Sequence, residues 1–181
     1  MISLYIMSQF VHLHVHTEYS LLDGVASIST LVDKAMADGM PGMAITDHGN
    51  MFGIKEYFNY VNKKNGKTLG AIKDAKKALE KAKADGDSEA AATAEAEIAK
   101  LQKKIFKPIF GCEMYVAQKS LHEHVDKKDT GRHLIVLAKN ETGYHNLVKL
   151  VSKAWTEGFY SHARTDKSEL AKYNEGLIVC S

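Results

Sequence analysis

The chain has 181 residues, of which 45% are hydrophobic and 25% are charged, proportions typical of one soluble globular domain. Its formal net charge is only +2, because a lysine-rich segment, residues 63–107 with 12 Lys and 7 acidic residues, is offset by a slightly acidic remainder. This balance argues against a general basic surface for strong, sequence-independent binding of nucleic acid.

The amino-terminal residues 1–7 are apolar, but the run is short and has no basic start. We therefore expect neither a secretory leader nor a membrane span at this end of the chain. The two cysteines, Cys112 and Cys180, cannot form the disulfide framework of a small secreted protein. A cytoplasmic location is therefore expected.

The first predicted strand covers residues 10–16 and contains His12, His14 and His16 at alternate positions, which places all three on one face of a strand. Each buried imidazole must find partners for two ring nitrogens, whereas a metal ion takes the lone pairs directly. Asp23 follows seven residues after His16. The pattern favours a metal site over the alternative, a polar outer face of a half-exposed strand.

Helices and strands then alternate along the rest of the chain. Ser27 or Ser29 can cap a first helix that runs to about Asp38, with Gly39 just past its end. The alternation is typical of a parallel α/β fold. The remaining predicted elements are a strand at 42–46, a helix at 53–64, strands at 107–116 and 134–138, a helix at 143–156 and a strand at 176–180.

Residues 68–105 interrupt this alternation with two predicted antiparallel helices joined by a turn at 85–88. Their apolar residues recur at steps of three and four, which predicts a narrow Ala-rich seam between them. We interpret the hairpin as a solvated insertion without chemistry; the weaker alternative is that its lysine-rich face contacts nucleic acid or a partner subunit. The seam residues are Ile72, Ala75, Leu79, Ala82, Ala91, Ala94, Ile98, Leu101 and Ile105.

Polar side chains collect where the predicted strands end, which is where α/β folds bind their ligands. Asp47 and His48 follow the second strand, and Glu113 lies in the third beside Gly111, a residue that can permit a bulge or a close backbone approach. His133 instead precedes its strand, so its direction stays open.

These residues occur in motifs that resemble the PHP (polymerase and histidinol phosphatase) domain, in the version found at the amino terminus of bacterial DNA polymerase III alpha subunits. The resemblance covers nearly the whole chain apart from residues 1–7 and the helical insertion. It rests on His14-x-His16-Thr17-Glu18-Tyr19-Ser20, Leu22-Asp23-Gly24, Ile45-Thr46-Asp47-His48-Gly49-Asn50, Gly111-Cys112-Glu113 and His133 before an apolar strand.

The resemblance implies a distorted TIM-like (β/α)7-type barrel spanning residues 8–181, with the helical hairpin at 68–105 inserted into it and up to three metal ions at its mouth. Zn, Mn or Fe suits the implied ligands. A complete barrel needs about 250 residues, so we expect a truncated barrel that holds fewer ions or none. The ligands implied by the resemblance are His14, His16, Asp23, His48, Glu113 and His133.

The implied reaction is metal-dependent hydrolysis of a phosphate ester, as in 3′–5′ proofreading, within a parent subunit that synthesises DNA and whose polymerase residues lie outside this chain. The implied partners are the rest of that subunit, DNA and a proofreading exonuclease subunit, with no membrane. Two alternatives stay open, which are a freestanding phosphatase for a small phosphomonoester and a non-catalytic scaffold that docks a proofreading subunit.

Several other residues with reactive or aromatic side chains are expected to have structural or surface roles. His12 is expected to point inward without binding metal, and Cys180 lies too early in its strand to serve as a ligand. The remaining assignments are Cys112 as a core residue, His122 and His124 as solvent-exposed, and Tyr144, His145 and Trp155 as packing or surface residues.

Overall fold

The computed structural model describes residues 10–123, 125 and 129–180. The expectations for residues 1–7, for the domain start at residue 8 and for His124 lie outside the described residues. Helices in the described part are α1 (Ile28–Ala37), α2 (Ile54–Ala84), α3 (Ser88–Gln102), α4 (Glu141–Thr156) and α5 (Lys167–Lys172). Strands there are β1 (Gly42–Ile45), β2 (Lys107–Val116), β3 (Arg132–Ala138), β4 (Phe159–Tyr160), β5 (His162–Thr165) and β6 (Leu177–Cys180).

Strand β2 is the centre of the sheet. Its first four residues pair in parallel with β1, and its later residues pair with antiparallel β3 on one side and parallel β5 on the other. Strand β6 lies beyond β3, and β4 lies beyond β5. In the described part of the chain β4 and β6 each pair along one edge only, so these strands form an open sheet in the order β4-β5-β2-β3-β6, with β1 also on β2.

The strand directions correct the prediction of a parallel sheet, because β3 runs antiparallel to both β2 and β6. No helix separates β2 from β3 in the described residues, and a parallel connection would need a crossover of a dozen or more residues, usually helical. The chain instead reverses between them. The observed architecture is therefore mixed α/β.

The predicted first strand at residues 10–16 is not formed as a regular strand. The segment lies beside β1, where Ala44 N donates to His12 O (2.8 Å) and Thr46 N donates to Val15 O (2.8 Å). The pairing offset changes by one residue between these bonds, and Val15 N donates to the Thr46 hydroxyl (3.0 Å) instead of a backbone carbonyl. A side chain thus takes the place of one ladder bond and interrupts the strand.

The inserted hairpin is present, but it is not a separate pair of helices. Helix α2 runs without a break over 31 residues, about 46 Å at 1.5 Å per residue, so its first half belongs to the domain and its second half forms one arm of the hairpin. Helix α3 returns along it. Every predicted seam residue from Ile72 to Ile105 is buried or half-buried, whereas most of their neighbours are exposed.

The base of the hairpin is closed by Asn65, which is buried on α2. Its side-chain amide donates to Phe106 O (2.8 Å), and its side-chain carbonyl accepts from Phe106 N (3.1 Å). These bonds satisfy the backbone where the chain re-enters the domain. The hairpin is therefore joined to the core at a defined point.

The main hydrophobic core lies between α1, the first half of α2 and β1, and a second cluster lies between α4 and the β2–β3 pair. Sequence patterning predicted α1 well, with Ser27 as its cap and Gly39 in the left-handed region (φ 75°) after it. It did not predict β4, β5 or α5. No helix among the described residues has both the length and the apolar character that crossing a bilayer would require.

Candidate metal centre

Glu113 lies at the centre of the site, buried on β2, with four histidines around its carboxylate. Oε2 lies 2.6 Å from His14 Nε2 and 3.1 Å from His16 Nε2. Oε1 lies 2.6 Å from His133 Nδ1 and 3.1 Å from His48 Nδ1. Burial alone raises the pKa of this carboxyl, but the His14 hydrogen bond and the charges of the other rings outweigh it, so the pKa is lowered and the group is ionised at neutral pH.

The close packing around β2 places this carboxylate. A Cβ built at Gly111 would lie 2.5 Å from Leu137 Cδ2 and 2.9 Å from Thr46 Cγ2, so a larger residue would push the neighbouring strands away. The β2–β3 register continues through Gly111 without an inserted residue. Of the two roles expected for Gly111, the structure therefore shows the close approach of neighbouring strands and not a bulge.

His48 is brought to Glu113 by the backbone. The two residues form an isolated parallel bridge that continues the β1–β2 pairing, in which Gly49 N donates to Glu113 O (2.8 Å). Gly49 has a φ of 59° and turns the chain away from the sheet. His48 Nε2 then lies 2.7 Å from Asp23 Oδ2. The hydrogen bond from His48 holds the pKa of Asp23 below its usual value.

Asp23 is held at the tip of a tight loop. The backbone N–H groups of Asp23 and Gly24 both donate to Ser20 O, at 3.0 and 2.8 Å. A Cβ at Gly24 would lie 1.9 Å from Thr17 O, so only glycine fits there. Leu22, just before Asp23, has a left-handed φ of 69°. The loop therefore places the Asp23 carboxylate next to His48, and the Asp23 side chain stays accessible to solvent.

His14 and His16 approach each other as well as Glu113, with 2.9 Å between their Nε2 atoms. The other ring nitrogen of His16, Nδ1, lies 2.8 Å from Ser20 Oγ, which donates to Asp47 Oδ1 at 2.7 Å. Burial is the main cause of the lowered pKa of His16, followed by repulsion from His48, while attraction to Glu113 opposes both. The neutral ring that results is the form in which histidine binds metals.

His133 reaches the site because β3 is antiparallel. Its register partner is Tyr115, two residues beyond Glu113 on β2, so the beginning of β3 lies at the edge of the sheet where β2 ends. The sequence left undecided whether His133 lies at the same edge as the other ligands, and this pairing places it there. All six residues that the sequence nominated thus lie in one connected cluster, consisting of His14, His16, Asp23, His48, Glu113 and His133.

Tyr115 is a neighbour of the cluster that sequence reasoning missed. Its hydroxyl lies 3.0 Å from His48 Nδ1, its ring packs edge-on against His133 (4.9 Å between centroids), and it packs at a tilt of 37° against His162 (4.5 Å). Burial raises the pKa of the phenol, so the group is neutral. Tyr115 lies two residues after Glu113 on β2, so both side chains are on the same face of the strand. This spacing is the one sequence signal that could have identified Tyr115.

His12 corrects the expectation of an inward-pointing structural histidine. It is exposed, and its ring packs edge-on against Phe10 with 4.7 Å between centroids. The irregular pairing of residues 12–15 with β1 breaks the regular alternation of a strand, and His12 is not in either group of donor atoms that could share a metal ion. The expected separation of His12 from the cluster is nevertheless observed.

The chemistry of the cluster fits divalent metal ions. Two groups of donor atoms lie close enough to share an ion, one from His14, His16 and Glu113 and the other from His16, Asp23 and His48. Imidazole nitrogens mixed with carboxylate oxygens suit Zn, Mn or Fe. Both groups also have the outer partners that such ligands need, because Ser20 holds His16 and Tyr115 holds His48.

The remaining nominated residues lie mostly where they were expected. Cys112 is fully buried, and burial raises the pKa of its thiol. Tyr144 packs against Phe110, and the exposed His122 and His145 each lie near a glutamate, Glu157 and Glu141 respectively. Trp155 lies closer to the cluster than predicted, because its indole N–H donates to Gly49 O at 2.8 Å.

A sequence model described as the PHP domain matches residues 12–181. The DNA polymerase III subunit alpha of Borreliella burgdorferi is 41% identical over 96% of this chain and 12% of its own length, and that of Treponema pallidum is 40% identical over 95% and 12%. The subunit of Campylobacter jejuni is 35% identical over 97% of this chain. The chain spans 11–12% of the length of these three relatives.

Proposed function

The chain belongs to the PHP domain family, and we propose that its six clustered side chains bind divalent metal ions that support hydrolysis of a phosphate ester. The observation that carries this proposal is the buried Glu113 carboxylate, which has a nitrogen of each of four histidines 2.6–3.1 Å from its oxygens. A buried carboxylate with several imidazoles is the donor set of catalytic metal centres.

The buried and the exposed side chains of the cluster have different roles. Glu113 is buried and contributes both oxygens, so it holds the donor groups together. The side chains of His14, Asp23 and His133 are 49%, 64% and 61% exposed, and they leave one side of the cluster open to a substrate. Bound metal ions supply an activated water and neutralise the developing charge on the phosphoryl oxygens. The cluster therefore needs no side-chain nucleophile.

We further propose that the chain is the PHP portion of a DNA polymerase III alpha subunit, and that its substrate is the 3′ end of DNA. The names of its relatives support a polymerase-borne module over a freestanding phosphatase. In that setting the partners are the rest of the subunit with its DNA-directed polymerase activity, DNA, and a proofreading exonuclease, in the cytoplasm.

The test measures metal content and hydrolysis together. The purified chain is loaded with Mn²⁺ or Zn²⁺, its metal content is measured by mass spectrometry, and release of nucleotides from a 3′-labelled DNA strand is followed. We expect Glu113→Gln and His14→Ala to lower both, with a loss in hydrolysis of more than about 100-fold, because even outer-shell changes cost 10–100-fold. His145→Ala, an exposed histidine on α4, is the matched control.

Two results would contradict the proposal. Hydrolysis that survives both substitutions would remove the cluster from the reaction. A normal metal content without hydrolysis of any phosphoester would leave a metal-stabilised scaffold that docks a proofreading subunit, the non-catalytic alternative.

A further inference from the structure

Three aromatic side chains form an exposed row beside the metal centre, namely Phe52, Trp155 and Phe159, which we call the aromatic row. The rings of Trp155 and Phe159 are stacked, with 5.6 Å between centroids and 23° between planes, and Phe52 lies 6.3 Å from Trp155 at 37°. The three residues are 65%, 44% and 56% exposed in chain order. Exposed aromatic clusters of this kind mark binding surfaces.

The row is assembled from separate elements and is fastened to the turn that carries His48. Trp155, in the last turn of α4, donates its indole N–H to Gly49 O (2.8 Å). Phe52, just before α2, donates its backbone N–H to the Asn50 side-chain carbonyl (3.1 Å). Asn50 in turn donates to His48 O at 2.9 Å. The Phe52 end and the central Trp155 are thus each held to a residue within two positions of His48.

We propose that the aromatic row stacks against nucleobases of a single DNA strand whose phosphoester lies at the metal centre. This inference rests on the proposed phosphoesterase function, for which it identifies the binding subsite of the substrate's bases. Aromatic faces bind every base with little sequence preference, because each base has a π-face. A platform beside the reacting phosphate would therefore position any 3′-terminal sequence.

The surface next to Phe52 has a charge that suits a nucleic-acid backbone. Tyr19, Phe52, Lys55 and Lys63 line a groove of about 560 Å³ along the first turns of α2. Its one carboxylate, on Glu56, accepts a hydrogen bond from the Tyr19 hydroxyl (2.9 Å). The exposed Lys55 and Lys63 ammonium groups outnumber it, so phosphates that follow a stacked base meet net positive charge.

Trp155 is the single tryptophan of the chain, so intrinsic fluorescence reports on the row directly. The experiment titrates the chain with a short single-stranded oligothymidylate and, separately, with an abasic strand of equal length that has the same phosphates but no bases. We expect quenching by the oligothymidylate and a much smaller effect of the abasic strand. Phe52→Leu and Phe159→Leu should each weaken binding about fivefold or more.

Phe10→Leu is the matched control, since Phe10 is 61% exposed and lies outside the row; its affinity should equal that of the unmodified chain. Equal quenching by the two strands, or equal affinities of all three variants, would overturn the proposal. His14→Ala separates the two proposals: it should abolish hydrolysis while the difference between the two strands persists. Failure of the phosphoesterase alone therefore leaves the stacking result readable.

Discussion

The hydroxyl of Ser20 decides which nitrogen of His16 has the proton. Ser20 Oγ has one hydrogen, which it donates to the Asp47 carboxylate at 2.7 Å, so it can only accept from His16 Nδ1 at 2.8 Å. The ring is therefore protonated at Nδ1, and the lone pair of Nε2 faces His14 and Glu113. Outer-shell bonds of this kind fix the tautomer that a metal ligand requires.

Ser20→Ala should weaken metal binding about 10- to 100-fold, because His16 loses the group that selects its tautomer. Competition with a chelating dye measures the dissociation constant. The control is Ser27→Ala, which removes the α1 cap and costs about 1 kcal/mol of stability at a distance from the cluster. Equal shifts of metal affinity in both variants would mean that Ser20 acts through stability alone.

For individual residues, the sequence identified the candidate ligands but not the contacts that bring them together. Strand alternation pointed to His12, His14 and His16 together, and the family resemblance selected His14 and His16. Their segment is nevertheless irregular, and the two meet through Glu113, 99 and 97 residues away. Ser20 and Tyr115 were missed, because a serine or tyrosine has no distinguishing pattern until long-range contacts place it. The six-residue metal assignment itself stays a prediction.

At the scale of elements, helix α2 is shared, because its first half belongs to the domain and its second half to the inserted hairpin. Gly66 and Gly70 lower helix propensity in its middle, and a Cβ at either position would meet nothing within 4 Å, so no close contact requires glycine there. The helix nevertheless continues through both positions, from Ile54 to Ala84. Beyond Asn65 the helix packs mainly against α3, along the seam of buried and half-buried residues.

Replacing residues 68–103 with a short glycine linker should leave metal content and the urea midpoint nearly unchanged, because the replaced part contacts mainly itself. Asn65→Ala should instead lower the free energy of unfolding by about 1–3 kcal/mol, since the buried backbone of Phe106 loses its partners. Circular dichroism during urea titration measures both. Loss of bound metal in the linker variant would contradict the role of the hairpin as a decoration.

The sequence pattern could not predict the direction of β3. Residues 134–138 are a short apolar run, which occurs equally in buried parallel and antiparallel strands. Direction is decided by the path of residues 117–131, which contain no helix among the described residues and return the chain beside β2. The strand itself was predicted correctly, and its orientation emerged only from pairing.

At the scale of the whole molecule, Arg164 connects β5 to the chain that leaves β2. It is fully buried and forms an ion pair with the equally buried Asp129 (3.2 Å). Its guanidinium also donates to Leu121 O (3.2 Å), Asp129 O (3.1 Å) and Gly158 O (3.3 Å). A buried cation is tolerated because several acceptors surround it.

Arg164→Met should lower the free energy of unfolding by about 3–5 kcal/mol, because Asp129 is left as an unpaired buried charge. Lys64→Met, which removes an exposed ion pair with Asp33 (2.7 Å), should change it little. Urea denaturation of both variants gives the comparison. Similar losses in the two would show that burial does not set the strength of the Arg164 pair.

The position of Glu113 has a consequence for folding. His14 and Glu113 are 99 residues apart in the chain, and a cation held by both would act as a removable cross-link that closes a loop of that length. Closing so long a loop removes entropy from the unfolded chain in the way a disulfide does, and ligand binding to the native state alone adds stability by mass action. Metal supply would then set not only the rate of the reaction but the fraction of chains that are folded.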